Sequence, residues 1–297
     1  MNRRDFLKVA TVTGSALGLM TVSRPGLAAV GGAIGDATSD GALPLPLARP
    51  KSKDDDLADY LKKVRQFDED HEGDVYFDEY NWGLLKSSLE RFVRLQRVVG
   101  HGNFYLLDFD EALRQANLYP SVGAFTTPEL NFLETLFYEQ AAIYGFYGEK
   151  PLKNLTDRIP LREVVKVPDS GNYLYRGKPM ETFEAIRKIL GPEVILTSGV
   201  RSVIKQFYLF LNKAYESGGN LSRASRSLAP PGYSFHGISD FDVGQAGYGH
   251  YNFTERFIAT KVYRTLRELG YLTLRYPRDN LLGVRFEPWH IKVGTRV

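Results

Sequence analysis

Apolar residues recur at three- and four-residue spacing through the first half of the chain and give way to short β-branched and alternating runs in the second. The helical period predicts helices near Leu57–Asp68, Tyr80–Val98, Phe109–Asn117 and Pro128–Tyr144. The start of the last is marked by Thr127 as a cap, Pro128 at the first helical position and Glu129 at the positive end of the dipole. Phe132, Phe137, Tyr138, Tyr144, Phe146 and Tyr147 form an aromatic series that reads as core. From about Leu161 the texture changes. Met180–Leu190 is a helical run stopped by Gly191-Pro192, Val194–Thr197 is a β-branched strand, and Val203–Ser217 is a helix ended by Gly218-Gly219. Ser222–Pro231 is polar and Pro-bounded and reads as a surface loop. Asp240–Gly244 reads as a strand, Thr254–Leu269 as an amphipathic helix, and Leu272–Tyr276, Val284–Glu287 and His290–Val293 as strands. Few helices and several short antiparallel strands make residues 161–297 an α+β domain, preceded by a mainly helical region, 57–160.

The N-terminal residues follow neither period. Asn2-Arg3-Arg4-Asp5-Phe6-Leu7-Lys8 is a twin-arginine pattern, followed by an apolar Gly/Ala-rich run and small residues at Gly26, Ala28 and Ala29. Residues 1–29 are therefore expected to be a signal peptide for the twin-arginine machinery. The run is too short for a membrane span, and the address is periplasmic or cell-envelope. Residues 30–56 are rich in Gly, Ala, Pro and Ser, as expected of a flexible linker.

Charge changes the picture only once the signal is set aside. Losing Arg3, Arg4, Lys8, Arg24 and Asp5 takes the basic count from 38 to 34 and the acidic count from 35 to 34. That balance speaks against nucleic acid as a partner. The chain has no cysteine, which excludes disulfides, thiol nucleophiles and thiolate metal sites, so a metal has to be held by His and carboxylate.

Two stretches concentrate such groups: Ser234-Phe235-His236 with Asp240-Phe241-Asp242, and Gly283 to His290, which contains Glu287-Pro288-Trp289-His290. A hydrolytic zinc site needs about three protein ligands, an open position for water and a carboxylate to take the water's proton. His236, Asp242 and His290 supply three ligands and Glu287 the base. Asp240 and Asp242 share a face of the expected strand, so Asp240 stands as the alternative ligand, with Asp242 preferred. His250, in Gly247-Tyr248-Gly249-His250-Tyr251, reads as a loop residue.

The succession Ser198-Gly199-Val200-Arg201-Ser202 with Gln206, Pro231-Gly232-Tyr233-Ser234-Phe235-His236, Asp242, Gly270-Tyr271 with Arg275-Tyr276-Pro277, Gly283 and Glu287-Pro288-Trp289-His290 resembles the VanY-like D-alanyl-D-alanine carboxypeptidases over roughly residues 180–294. Those enzymes share a small antiparallel-sheet zinc fold with lysostaphin-type enzymes and hedgehog domains. The resemblance implies one zinc on His236, Asp242 and His290, with Glu287 as general base to a zinc-bound water. It implies Arg201 on the substrate carbonyl and developing oxyanion, and Ser234 and Gln206 as substrate contacts. The implied substrate is the stem peptide of peptidoglycan. A peptidoglycan endopeptidase or L,D-carboxypeptidase on the same site is the alternative, and a non-catalytic wall-binding module a further one. The spacing from His236 to Asp242 is one residue shorter than the family's usual pattern, which keeps Asp240 open, and Lys292-Val293-Gly294 is likewise one shorter than the usual Arg-Tyr-Val-Gly.

Overall fold

The computed structural model describes residues 53–294, which lie within one compact unit. The signal peptide and most of the linker fall outside the described residues. The first helix, α1 (Lys53–Arg65), already begins inside the stretch read as linker. It is followed by α2 (Glu79–Val99), a short turn α3 (His101–Phe104), α4 (Phe109–Leu118) and α5 (Thr127–Tyr138). No helix among the described residues is long and apolar enough to cross a membrane.

Local chemistry sets these boundaries. Asp78 caps α2 by accepting from the Asn81 amide, and Asp108 caps α4 by accepting from that of Glu111. At α5 the cap lies one residue earlier than Thr127: Thr126 and Glu129 form a reciprocal capping box, which satisfies two otherwise orphaned amides and outranks a lone hydroxyl at Thr127. The expected run to Tyr144 breaks at Glu139, and Ala141–Tyr144 forms a separate 3-10 turn. Of the aromatic series, Phe132, Phe137, Tyr144 and Phe146 are buried as expected, whereas Tyr138 and Tyr147 are exposed.

The second half holds a two-stranded ribbon, β1 (Val164–Lys166) with β2 (Tyr173–Tyr175), and a three-stranded antiparallel sheet in the order β3-β4-β5, from β3 (Val194–Ser198), β4 (Phe241–Gln245) and β5 (His290–Ile291). Helix α6 (Lys178–Leu190) precedes β3; α7 (Val203–Glu216) and α8 (Leu221–Ser227) follow it, and α9 (Lys261–Glu268) follows β4. One face of the sheet is apolar: Leu196, Phe241, Val243 and Ile291 pack with Phe183 and Ile186 of α6 and Val262 and Leu266 of α9. The mixture of helices with small antiparallel sheets is the α+β class expected.

Three local expectations are corrected. Ser222–Pro231 is no surface loop: Asn220 caps α8 across its first half, and Ser222, Ala224, Ser225, Arg226 and Ser227 are buried. Small side chains allow close packing there, and Arg226 is neutralised by Asp74, so polarity did not mean exposure. The helix expected over Thr254–Leu269 is interrupted at Thr260, which ends a 3-10 turn (Glu255–Ala259) and caps α9 through its hydroxyl. Leu272–Tyr276 contributes only an isolated bridge from Leu274 to Ile291, Val284–Glu287 forms no strand, and β5 is limited to two residues. Positive φ at Gly270 and Gly283, with Pro277 and Pro288 nearby, turns this segment too often for a ladder to continue.

The helical region shares a hydrophobic core with α7 and with the segment leading to Glu287. Leu85, Phe92 and Leu95 of α2 and Phe137 of α5 lie in one cluster with Phe207 and Phe210 of α7 and with Tyr276 and Val284, close in sequence to Glu287. Backbone contact tightens the join, because Tyr147 donates its amide to Leu282 O and a Cβ built on Gly283 would lie 2.0 Å from Gly145 O. Gly283 also has φ of 83°. Gly283→Ala is therefore expected to cost on the order of 3 kcal/mol, from left-handed strain and displaced backbone together. Thermal melting should fall by about 10 °C for a unit of this size; an unshifted melt would mean that the join yields without penalty.

Candidate active site

The polar face of the sheet carries one transverse row. Ser198 of β3 is opposite Asp242 of β4, which is opposite His290 of β5. The register between β3 and β4 shifts between Leu196 and Ser198, and this irregularity brings Ser198 rather than Thr197 opposite Asp242. His236 arrives from a 3-10 turn, Phe235–Gly237, just ahead of β4. One ligand atom each of His236, Asp242 and His290 lies within 4.8 Å of the others, and all three residues are buried.

Each imidazole is fixed by the atom on its far side. His236 Nδ1 lies 2.8 Å from Gly199 O, a carbonyl that can only accept, so Nδ1 carries the proton and Nε2 keeps a lone pair facing Asp242 Oδ1 at 3.3 Å. His290 is turned the other way round: Nε2 is 3.0 Å from Asp240 Oδ2, while Nδ1 faces Asp242 Oδ1 at 3.1 Å. Asp242 Oδ1 is buried between two ring nitrogens and has no hydrogen-bond partner among the described residues. A lone carboxylate oxygen converging with two imidazoles, and no thiolate, is a donor set that fits zinc.

Charge is concentrated here. Burial works against ionised Asp242, but His236 and His290 outweigh it and hold its carboxyl far below the usual range. Burial also opposes charge on His290, yet Asp240 and Asp242 outweigh it and push the ring up to about 10. Burial, with Arg201 nearby, lowers His236. Glu287 Oε2 is 3.7 Å from His290 Nδ1, and burial pushes its carboxyl up to about 7. Arg201 donates through Nη2 to Ser198 Oγ at 2.9 Å and to Asp242 Oδ2 at 3.2 Å. These groups line a cleft of about 340 Å³.

Residues 178–294 match the family model described as VanY: D-alanyl-D-alanine carboxypeptidase. This stretch is similar to VanY-type peptidase domains. It makes the chain a hydrolase of the carboxypeptidase kind, and the match covers less than half of the sequence. No curated protein matches the chain. Solved structures resemble part of it. The LD-carboxypeptidase LdcB is 23% identical over 44% of this chain and 67% of its own, with a TM-score of 0.37. A variant of the vancomycin-resistance D,D-pentapeptidase VanY in complex with Zn(II) is 25% identical over 47% and 84%, with a TM-score of 0.35. VanYB in complex with D-alanine-D-alanine is 26% identical over 44% and 77%, with a TM-score of 0.36.

Within this VanY-like stretch, Asp240 stands behind the cluster rather than in it. Its carboxylate accepts from Arg275 Nε, from the Val293 amide at 3.0 Å and from Ser239 Oγ at 3.2 Å, besides facing His290. Strand β4 starts only at Phe241, so the shared face expected for Asp240 and Asp242 does not arise. Both Asp240 oxygens are occupied, and burial is outweighed by His290 and Arg275, which hold its pKa at about 2. Asp240→Asn is expected to leave His290 unanchored and weaken zinc binding about 10- to 100-fold, read by competition with a chelator. Unchanged affinity would show that the Asp240 contact does not orient the ring.

Ser234 lines the cleft beside His236. Gln206, expected as a substrate contact, does not: it is buried on α7, donates to Ala229 O and accepts from Arg201 Nη1 at 3.4 Å. Its amide holds Arg201 because α7 starts one turn before it, with Ser202 as cap. His250 sits in an exposed turn away from the cleft, and neither His71 nor His101 lines it. Lys205, Tyr276 and Arg285 line the cleft without having been singled out for it, and Tyr105 reaches it from the helical region. Lys205 and Arg285 could have been flagged, since each lies within four residues of a motif residue.

Proposed function

We propose that the chain is a zinc-dependent D-alanyl-D-alanine carboxypeptidase of the cell envelope, exported by the twin-arginine route, that trims peptidoglycan stem peptides. The observation that carries this reading is the convergence of His236 Nε2, His290 Nδ1 and the orphaned Asp242 Oδ1 beside Glu287, inside a stretch similar to VanY-type domains. His236, Asp242 and His290 would hold one zinc, which supplies a Lewis acid that makes water nucleophilic near neutral pH and polarises a carbonyl. Glu287 takes the proton of the attacking water and delivers it to the leaving amine as the amide C–N bond breaks. A carboxyl at about 7 suits both transfers. Arg201, braced by Ser198 and Gln206, donates to the carbonyl oxygen as negative charge gathers on it. Ser234 borders the peptide at the cleft wall.

Tyr105 and the segment Ser227–Ala229 add a wall to the cleft, which favours binding of a peptide end over passage of a chain through it. The exported address rests on the Arg3-Arg4 pattern and its apolar run. Purified muropeptides digested with the mature, zinc-loaded protein and read by mass test the reading. Loss of one terminal D-Ala from pentapeptides is expected. Cleaved cross-links would make it an endopeptidase, loss of D-Ala from tetrapeptides an L,D-carboxypeptidase, and zinc without products a binding module.

A further inference from the structure

The helical region carries aromatic rings that its core does not use. Tyr80 is 67% exposed, Tyr147 54% and Tyr76 49%. Tyr76 and Tyr80 line a groove of about 660 Å³ between the start of α2 and α5. Tyr60 and Tyr147 line a hollow of about 330 Å³ beside α1, with their ring centroids 5.9 Å apart. Ile143, itself exposed, is a wall of both. The continuity reaches the candidate active site: Val64 lines the hollow and a narrow neck of about 90 Å³, and Arg285 and Trp289 line both that neck and the metal-site cleft. Shared wall residues thus join groove, hollow, neck and cleft into one track.

Exposed apolar residues scattered singly are ordinary, whereas a contiguous set marks a binding groove. The kind of ring narrows the occupant. Tyrosine offers a flat apolar face with a hydroxyl at its edge, which suits a ligand that is apolar on one face and hydroxylated at its rim. Between the rings the groove presents Asn81, Asn131 and Thr135, whose amides and hydroxyl both donate and accept. No Lys, Arg or His lines the groove among the described residues, and its charged groups are Asp78, which caps α2, and Glu139. The metal-site cleft, by contrast, holds Arg201, Lys205, Lys213 and Arg285. Two carboxylates without a cation disfavour an anionic polymer or lipid headgroup in the groove. A sugar ring meets every requirement: a C–H face for stacking, hydroxyls around its edge, an acetamido group to pair with a side-chain amide, and no charge.

We propose that this track binds a neutral chain of N-acetylated sugars, stacked on Tyr76, Tyr80 and Tyr147, while a peptide attached to that chain enters the metal-site cleft. The link from sugar to peptide rests on the peptidase reading above; the sugar site itself does not. The test uses the mature, zinc-loaded protein. A tetrasaccharide of N-acetylglucosamine is the probe for calorimetric binding, and a pentapeptide ending in D-Ala-D-Ala is assayed free and attached to a glycan fragment. The wild type should bind the tetrasaccharide saturably. Tyr80→Ala and Tyr147→Ala should each weaken it about 10-fold, as truncating a contact aromatic does, and the double variant about 100-fold. Tyr80→Phe, which keeps the stacking face, should retain most of the affinity, and melting would confirm that each variant folds. The glycan-linked peptide should have the lower KM, and Tyr80→Ala should raise that KM alone, leaving kcat and the free peptide unchanged. Absence of tetrasaccharide binding, or tyrosine variants that bind it as tightly as the wild type, would overturn the proposal. A dimer that Tyr80→Ala dissolves, with no sugar bound, would give these rings to a second copy of the chain and overturn it equally. Sugar binding weakened in Tyr80→Ala with neither peptide cleaved would sink the peptidase reading and keep the sugar site; cleavage of the free peptide without sugar binding would do the reverse.

Discussion

Glu287→Ala is expected to bind one zinc per chain and to hydrolyse its peptide about 10²- to 10⁴-fold more slowly, the usual loss when a positioned general base is removed. The zinc content should survive because Glu287 stands outside the His236, Asp242 and His290 group, 3.7 Å from His290 rather than converging with Asp242 Oδ1. His290→Ala should lose both metal and activity. It deletes one of the three converging donor atoms and also leaves Asp240 without the ring it faces. Metal analysis of the purified proteins beside a D-Ala release assay separates the two outcomes. Unchanged turnover in Glu287→Ala would remove the proposed base, and a zinc-free Glu287→Ala would make Glu287 a ligand instead.

The pair of variants also separates what was legible in the chain from what was not. Glu287 and His290 are three residues apart, and Pro288 fixes the backbone between them, so their convergence is nearly a local property. His236 and Asp242 lie some fifty residues away and meet them only through the sheet register, yet the resemblance of ordered motifs placed all four in one site. The choice between Asp240 and Asp242 was not legible, because it depends on where β4 begins and on Arg275, a side chain 35 residues downstream. Gln206 is a related case. Its spacing from Arg201 is right for a cleft residue, but the buried face of α7 and the Ala229 carbonyl turn its amide into a brace. Of the strands expected after α9 only His290–Ile291 forms, because alternation alone cannot foresee a backbone turned at Gly270 and Gly283. The helical region could be recognised from its period. That it shares a core with α7, and so with the site, is tertiary information that no local pattern carries.

Asp74→Ala is expected to destabilise the protein by about 3–5 kcal/mol, the cost of leaving a buried arginine without its counterion. Asp74 accepts from Arg226 at 2.7 and 2.8 Å, from Asn220 at 2.7 Å and from the His71 amide at 3.0 Å, so a single carboxylate ties the segment after α1 to both ends of α8. That segment carries Phe67, whose carbonyl faces Arg226 Nε and whose ring lies against Arg285 in the cleft wall. Loosening it should therefore raise KM for the peptide before the fold is lost. Acid should reproduce the effect in the native chain. Burial raises the Asp74 carboxyl, but Arg226, Asn220 and the His71 amide outweigh it and hold it at about 2, below its ordinary 3.8. The sign follows: the stabilisation is fully present above pH 3.8 and is lost as pH falls through the native value. Denaturant titrations at pH 6 and pH 3 should show the wild type losing more stability than Asp74→Ala over that interval. Parallel losses in the two proteins would mean that this buried pair does not fasten the helical region to the site.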